Sequence, residues 1–116
     1  MYEYKCEIRR VVDGDTVDVD IDLGFGVWLR NERVRIKGID APETRTRDMF
    51  EKEKGFAAKE FVEALLPVGS SQTLISHGAN GKFGRCLGDF VIYDPKLDAE
   101  RHLSMVMLME GHATEY

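Results

Sequence analysis

Cysteine is scarce in this chain of 116 residues: Cys6 and Cys86 make no disulfide framework and fit no zinc spacing. Both are expected to be reduced structural thiols. Long apolar runs are missing too. No stretch approaches the ~18 residues that span a bilayer, so no membrane-spanning helix and no membrane partner are expected. The first residues, Met1-Tyr2-Glu3-Tyr4-Lys5, lack a signal-peptide pattern and run straight into a strand-like stretch. As written, the chain is expected in the cytoplasm, and outside the cell only if a leader has been removed. Positive charge is also in short supply. Sixteen Lys plus Arg face 21 Asp plus Glu, a net charge of −5. The basic footprint of a typical nucleic-acid binder is therefore absent. A polyanionic partner would need locally clustered cations or a bound metal ion. The three histidines, His77, His102 and His112, have no metal-ligand spacing.

What is present is an ordinary globular composition, with 43% hydrophobic and 32% charged residues, which argues against disorder. At roughly 100–200 residues per domain, residues 1–116 are expected to form one domain. Cys6, Ile8, Val11 and Val12 suggest a first strand. Val17, Val19 and Ile21 alternate with Asp18, Asp20 and Asp22, a strand with one buried face and a solvated row of aspartates. Val34 and Ile36 alternate with Arg33, Arg35 and Lys37 in a third. Leu23 to Leu29 is a long glycine-marked hairpin tip. Its Phe25, Val27 and Trp28 are expected as a satellite core, the alternatives being a self-association patch or a base-stacking surface.

From Glu51 to Leu66 the period changes. Ala58, Phe61, Val62, Leu65 and Leu66 follow helical spacing, and Pro67 stops the helix. Thr73–Ile75 and Arg85–Tyr93 read as two further strands, joined by a turn-rich segment from Gly78 to Gly84. Asp98 is expected to cap a last helix through Met109, with Gly111 past its end. The order β-β-β-α-β-β-α is compatible with a five-stranded OB-fold barrel plus helices, an α+β arrangement.

Two acidic positions stand out. Asp13-Gly14-Asp15-Thr16 reads first as a hairpin turn, and Asp40-Ala41-Pro42-Glu43 as a strand end followed by a proline turn. Taken together, Asp15 opens strand 2 and Asp40 closes strand 3, so parity places both at one mouth of the barrel. Two carboxylates there repel by about 4 kcal/mol at ~4 Å and an effective dielectric of ~20. Such a pair takes up a proton, finds an arginine or binds a hard cation, Ca²⁺ or Mg²⁺. Arg35 and Arg85 suit bidentate contact with phosphate, although parity puts Arg35 on the face opposite the apolar row. Lys82 could meet a second phosphate as a point charge. Glu43, three residues past Asp40, is placed to act on water as a general base.

Asp13-Gly14-Asp15-Thr16, Arg35 with Asp40-Ala41-Pro42-Glu43, and Lys82-Phe83-Gly84-Arg85 resemble the ordered motifs of the staphylococcal nuclease (thermonuclease) family. The resemblance covers nearly the whole chain. It implies an OB-fold, Ca²⁺-dependent phosphodiesterase acting on DNA and RNA, single-stranded or as frayed duplex, that cleaves the P–O5′ bond and leaves a 3′-phosphate and a 5′-hydroxyl. It implies Asp15, Asp40 and the Ala41 carbonyl as calcium ligands, and Arg35 and Arg85 on the scissile phosphate. Glu43 would activate the water. Lys82 and Phe83 would face the adjacent phosphate and base, and Tyr116 would line the nucleotide pocket. Arg35, Lys37, Arg45, Arg47, Lys82 and Arg85 would supply positive charge locally.

Three features depart from the family pattern. Phe83 replaces the usual tyrosine and loses a hydroxyl donor. The hairpin tip is longer and more apolar. The sequence stops soon after Gly111, short of the family's long C-terminal helix. Uncovered apolar surface near Met105, Met107, Leu108 and Met109 is therefore expected to be buried by something else, a second copy of the chain being the expected candidate. The rival reading is a non-catalytic nucleic-acid- or protein-binding module on the same fold, which would have no need of the full set Asp15, Arg35, Asp40, Glu43 and Arg85.

Overall fold

Alternation shapes the first three strands, and bulges adjust it. In β1 (Tyr2–Asp13) Cys6, Ile8 and Val11 all point inward although Ile8 and Val11 are an odd number apart. A register shift at Arg9 supplies the extra residue that makes this compatible with one buried face. β2 (Thr16–Asp22) buries Val17, Val19 and Ile21, and β3 (Trp28–Ile36) buries Val34 and Ile36. The structure, a computed structural model, describes residues 2–80 and 85–116, and at 79, 80 and 85 the backbone alone.

After β3 come β4 (Ile39–Asp40), α1 (Met49–Leu65), β5 (Ser71–Asn80), β6 (Arg85–Asp94), β7 (Ala99–His102), α2 (Leu103–Met109) and β8 (Thr114–Glu115). The main sheet runs β3-β2-β1-β5-β6-β7, and β3 also pairs with β6 in parallel. That last pairing closes β1, β2, β3, β5 and β6 into a five-stranded barrel, the OB-fold-like α+β architecture expected. The short strands β4, β7 and β8 are additional. Ile8, Val11, Val17, Val19, Val34, Ile36, Leu74 and Phe90 fill the barrel; Ala58, Val62 and Leu66 from the first helical segment and Leu103 and Met107 from α2 pack onto them. Each large aliphatic buried here contributes about 1.5–3 kcal/mol.

Helix α1 starts two residues before the expected Glu51. Asp48 is its N-cap, and its carboxylate accepts hydrogen bonds from the Phe50 and Glu51 amides at 2.9 and 3.4 Å. The last helix is much shorter than expected. Residues 99–102 instead pair with β6, and Asp98 sits at a positive φ in the turn before them rather than capping. The cap of α2 is supplied from across the sheet. His102 at the N-cap position makes no side-chain cap bond, but Asp89 of β6 accepts from the Ser104 amide at 3.1 Å and from the Ser104 hydroxyl. Asp89 is itself buried. Replacing it with Ala leaves those half-buried donors without this acceptor, at about 1–3 kcal/mol. We expect Asp89→Ala to lower Tm by about 3–5 °C for each kcal/mol lost, and Asp89→Asn, which keeps an acceptor oxygen, to lower it less. Equal melting of Asp89→Ala and wild type would remove this cap.

Two expectations about exposed faces need correction. The aspartate row is not uniformly solvated: Asp18 and Asp22 are half-buried, but Asp20 is 1% exposed. A register shift between Val19 and Ile21 turns the Asn31 amide onto Asp20 at 2.9 Å, and the Arg9 and Arg30 side chains cover it. The Asn31 amide, with help from the arginines, holds the Asp20 carboxyl below its usual range despite burial. The hairpin tip is not a satellite core, because Phe25 is 106% exposed and Val27 is exposed beside it. Of the α2 methionines, Met107 is buried while Met105 and Met109 are exposed. Both cysteines are unpaired, as expected. Burial pushes the Cys6 thiol up to about 12 and raises Cys86 as well.

Candidate active site

The β1–β2 connection is a two-residue turn: Asp13 pairs with Thr16, leaving Gly14 and Asp15 between them. Neither takes a positive φ, so this is not the I′ turn that an Asp-Gly pair favours. Gly14 is there for space. A Cβ on it would lie 2.9 Å from Ala58 Cβ, 3.0 Å from Ala41 Cβ and 3.1 Å from the Met107 methyl. The turn that carries Asp15 is thereby pressed against α1, α2 and the segment after β4.

Asp15 is 7% exposed, and each of its carboxylate oxygens accepts a hydrogen bond. Its Oδ1 accepts from the Thr16 hydroxyl at 2.9 Å and its Oδ2 from the Ala41 amide at 2.8 Å. Asp40 reaches the same place by a route the alternation did not anticipate. β3 ends at Ile36, Gly38 reverses the chain at φ 85°, and Asp40 lies on β4, paired with Thr114 of β8. Its carboxylate is 58% exposed, so the two aspartates are not equally buried, as strand parity had suggested.

Arg35 joins them. Its Nη2 lies 3.6 Å from Asp15 Oδ2 and 3.3 Å from Asp40 Oδ1. Its Nη1 donates to the Ile36 and Ile39 carbonyls at 3.0 and 2.8 Å. The guanidinium therefore bridges the Gly38 turn of its own chain, which is how a residue on the outward face of β3 reaches the mouth of the barrel. Of the three ways out for paired carboxylates, the arginine is the one seen. Tyr116 is brought here as well. Its amide donates to the Gly38 carbonyl at 3.1 Å, and the Arg35 guanidinium lies 5.5 Å from its exposed ring.

Glu43 is exposed, on a segment fixed at several points. The Ala41 amide bonds Asp15, and the Thr44 amide and hydroxyl donate to Asp13 Oδ1 at 3.3 and 2.8 Å. Helix α1 presses on the Glu43 carbonyl at Gly55, where any Cβ would overlap that carbonyl. Asp13 is read from sequence only as part of its turn motif, and Thr44 and Gly55 are given no role. Gly55 alone left a signal, because a glycine inside a helix costs about 1 kcal/mol against alanine and so needs a packing reason. Gly55→Ala forces either the helix or the Glu43 segment to shift. We expect a loss of 1–3 kcal/mol, the usual cost of overpacking, partly offset by helix propensity. Unchanged melting would remove Gly55 from this role.

The main chain of Arg85 opens β6 one residue before Cys86, which pairs with Val34 of β3. Its side chain, and Lys82 and Phe83 altogether, lie outside the described residues. Asp15, Asp40, Ala41, Arg35 and Tyr116 thus come together, with Glu43 on the adjoining segment. An open cleft of ≈ 660 Å³ runs beside Asp40, between α1 and the C-terminal residues. No group of three acidic, histidine or cysteine side chains suited to a metal occurs among the described residues. A cation here would rest on two carboxylates completed by backbone oxygen and water.

Barrel and site define an OB-fold-like domain with a cluster of opposite charges at one mouth. Residues 33–116 match the family described as Staphylococcal nuclease homologue, and the chain belongs to that family. The match includes Arg35, Asp40, Glu43 and Tyr116 and begins after Asp15. Two curated proteins are similar. "Endonuclease YhcR" of Bacillus subtilis (strain 168) is 25% identical over 120 residues, 98% of this chain and 9% of that protein. "Thermonuclease" of Staphylococcus intermedius is 32% identical over 80 residues, 69% of this chain and 44% of that protein. The chain therefore spans less than half the length of either relative.

Proposed function

We propose that this chain is a Ca²⁺-dependent nuclease that hydrolyses phosphodiester bonds of DNA or RNA and leaves 3′-phosphate and 5′-hydroxyl ends. The observation that carries this reading is the single Arg35 nitrogen held between Asp15 and Asp40, beside the fixed segment that bears Glu43. The family and the nuclease relatives support it. A cation already stands between the two carboxylates in the form of the guanidinium, and every donor there is oxygen. That set fits a hard ion. Asp15, Asp40 and the Ala41 carbonyl would hold Ca²⁺, which when bound supplies Lewis-acid polarisation of a phosphoryl oxygen.

Glu43 takes a proton from water as the water oxygen attacks phosphorus. The P–O5′ bond breaks and the departing oxygen takes up a proton, so water is added across the bond. Arg35, with Arg85, stabilises charge developing on the phosphoryl oxygens. Lys82 and Phe83 contact the neighbouring phosphate and base, and the exposed Tyr116 ring offers a stacking face.

The test is cleavage of denatured DNA and of RNA with Ca²⁺ or with a chelator, with end-group analysis of the products. We expect Ca²⁺-dependent cleavage, 5′-hydroxyl ends, and a Ca²⁺-induced rise in Tm that Asp40→Ala abolishes. Strand binding without any cleavage in Ca²⁺ would overturn this reading in favour of a non-catalytic binding module.

A further inference from the structure

The outer face of β1, β2 and β3 carries an arrangement that the cluster at the mouth does not use. Arg10, Asp18 and Arg33 are register partners across the three strands. Arg33 grips Asp18 with two hydrogen bonds, at 2.8 and 3.1 Å, and Arg10 lies 4.0 Å from the same carboxylate. Two residues along β2, Asp20 also meets two arginines, although its register partner on β1 is Glu7. The bulge at Arg9 in β1 and the register shift opposite Asp20 in β3 bring Arg9 and Arg30 to one carboxylate, at 3.6 and 3.0 Å. Four guanidiniums thus share two aspartates; Glu7, the register partner of Asp20, balances the second pair, and the surplus positive charge lies on the Arg10–Asp18–Arg33 rung. All four remain largely open to solvent, between 46% and 60% exposed. Beyond this rung Lys5 is the register partner of Asp22.

The rungs are aligned with the mouth of the barrel. Arg35, paired with Thr16, is the next position on β3 after Arg33 on this face. Successive rungs are two residues apart, about 7 Å along the strand. At the far end, Arg30 lies over the Trp28 ring at 4.9 Å, and the fully exposed Phe25 projects from a tip held by three successive positive φ values. Phe is an unfavoured residue for that conformation, which is tolerated here at a position that presents the ring to solvent.

We propose that this face is a track for single-stranded nucleic acid, its phosphates on the arginine rungs and a base against the Trp28–Phe25 end, leading the strand to Arg35. The inference rests on the nuclease reading for its ligand class. A chain of net charge −5 would meet a polyanion here through exposed guanidiniums held in a row on one sheet face. The aspartates hold the guanidiniums in fixed positions while leaving donors free, and arginine grooves with aromatic ends suit a strand without sequence preference. Four paired arginines alone would describe a surface ion-pair network. The exposure of the guanidiniums, the surplus charge of the Arg10–Asp18–Arg33 rung, the shared spacing and the alignment with Arg35 favour a track.

The test compares Arg10→Gln/Arg33→Gln with wild type in binding a fluorescein-labelled single-stranded DNA of about 20 nucleotides and a labelled dinucleotide, by anisotropy across a salt series. Measurements use the Glu43→Gln background in Ca²⁺ and are repeated in chelator, with Tm recorded for each variant. We expect affinity for the long strand to fall about tenfold at ~0.1 M salt, its salt slope to fall by about 1–2, and the dinucleotide to lose less. Asp18→Asn, which removes a competing carboxylate, should tighten long-strand binding. That sign is one that loss of structure would not produce. An unchanged long-strand affinity and salt slope, equal losses on both probes, or weaker binding by Asp18→Asn would each overturn the track. Absence of cleavage by wild type overturns the nuclease reading separately, and the track is then judged by binding in chelator alone.

Discussion

Glu43→Gln is expected to lower kcat by about 10²–10⁴, the usual contribution of general acid–base catalysis, while Ca²⁺-induced thermal stabilisation stays near wild type. The substitution keeps size and hydrogen-bonding capacity and removes only the proton acceptor. It should leave the fold intact, because Glu43 is exposed and what fixes its segment is main chain and neighbouring side chains: the Ala41 amide, Thr44 and the contact at Gly55. Single-turnover cleavage and Ca²⁺-dependent melting, measured side by side, separate chemistry from metal binding. Cleavage at the wild-type rate would show the assigned base to be wrong even in a working nuclease.

The second large effect is expected at Arg35. Arg35→Lys keeps the charge and loses the fork. The guanidinium donates to two carbonyls with one nitrogen and faces two carboxylates with the other. An ammonium is a point charge and cannot span that set. We expect turnover to fall about 10²–10³, as when a preorganised transition-state donor is removed. Stability should fall by about 1–3 kcal/mol, because the Ile36 or Ile39 carbonyl loses its donor. Losses in rate and melting should appear together. A lysine variant that cleaves and melts like wild type would place Arg35 outside the site.

How much of this could be read from sequence differs from element to element. The barrel strands were legible because Val17, Val19, Ile21, Val34 and Ile36 alternate cleanly, and α1 because its apolar residues keep helical spacing. The meeting of Asp15 and Asp40 was legible as a consequence, but its route was not. Strand parity assumes a continuous β3, whereas the Gly38 reversal and the β4–β8 pairing bring Asp40 in from a separate strand, exposed rather than buried. Bulges were invisible for the same reason: nothing local in Arg9 or Asp20 marks a change of register, and so the burial of Asp20 was missed. The last helix was over-extended because residues 99–102 owe their strand conformation to pairing with β6, and the cap of α2 comes from Asp89, distant in sequence. Long-range hydrogen bonds decided each of these points.

Gly14 has a dynamic consequence. A turn that touches α1, α2 and the Ala41 segment at once has no small-scale motion available to it, since any displacement must disturb all three neighbours together. Fraying of α2 would therefore loosen the Asp15 turn as well, and excursions that release this carboxylate belong to the cooperative unit that holds the barrel closed. Tyr116 and the Glu43 side chain border that unit on its exposed side, above the buried aspartate.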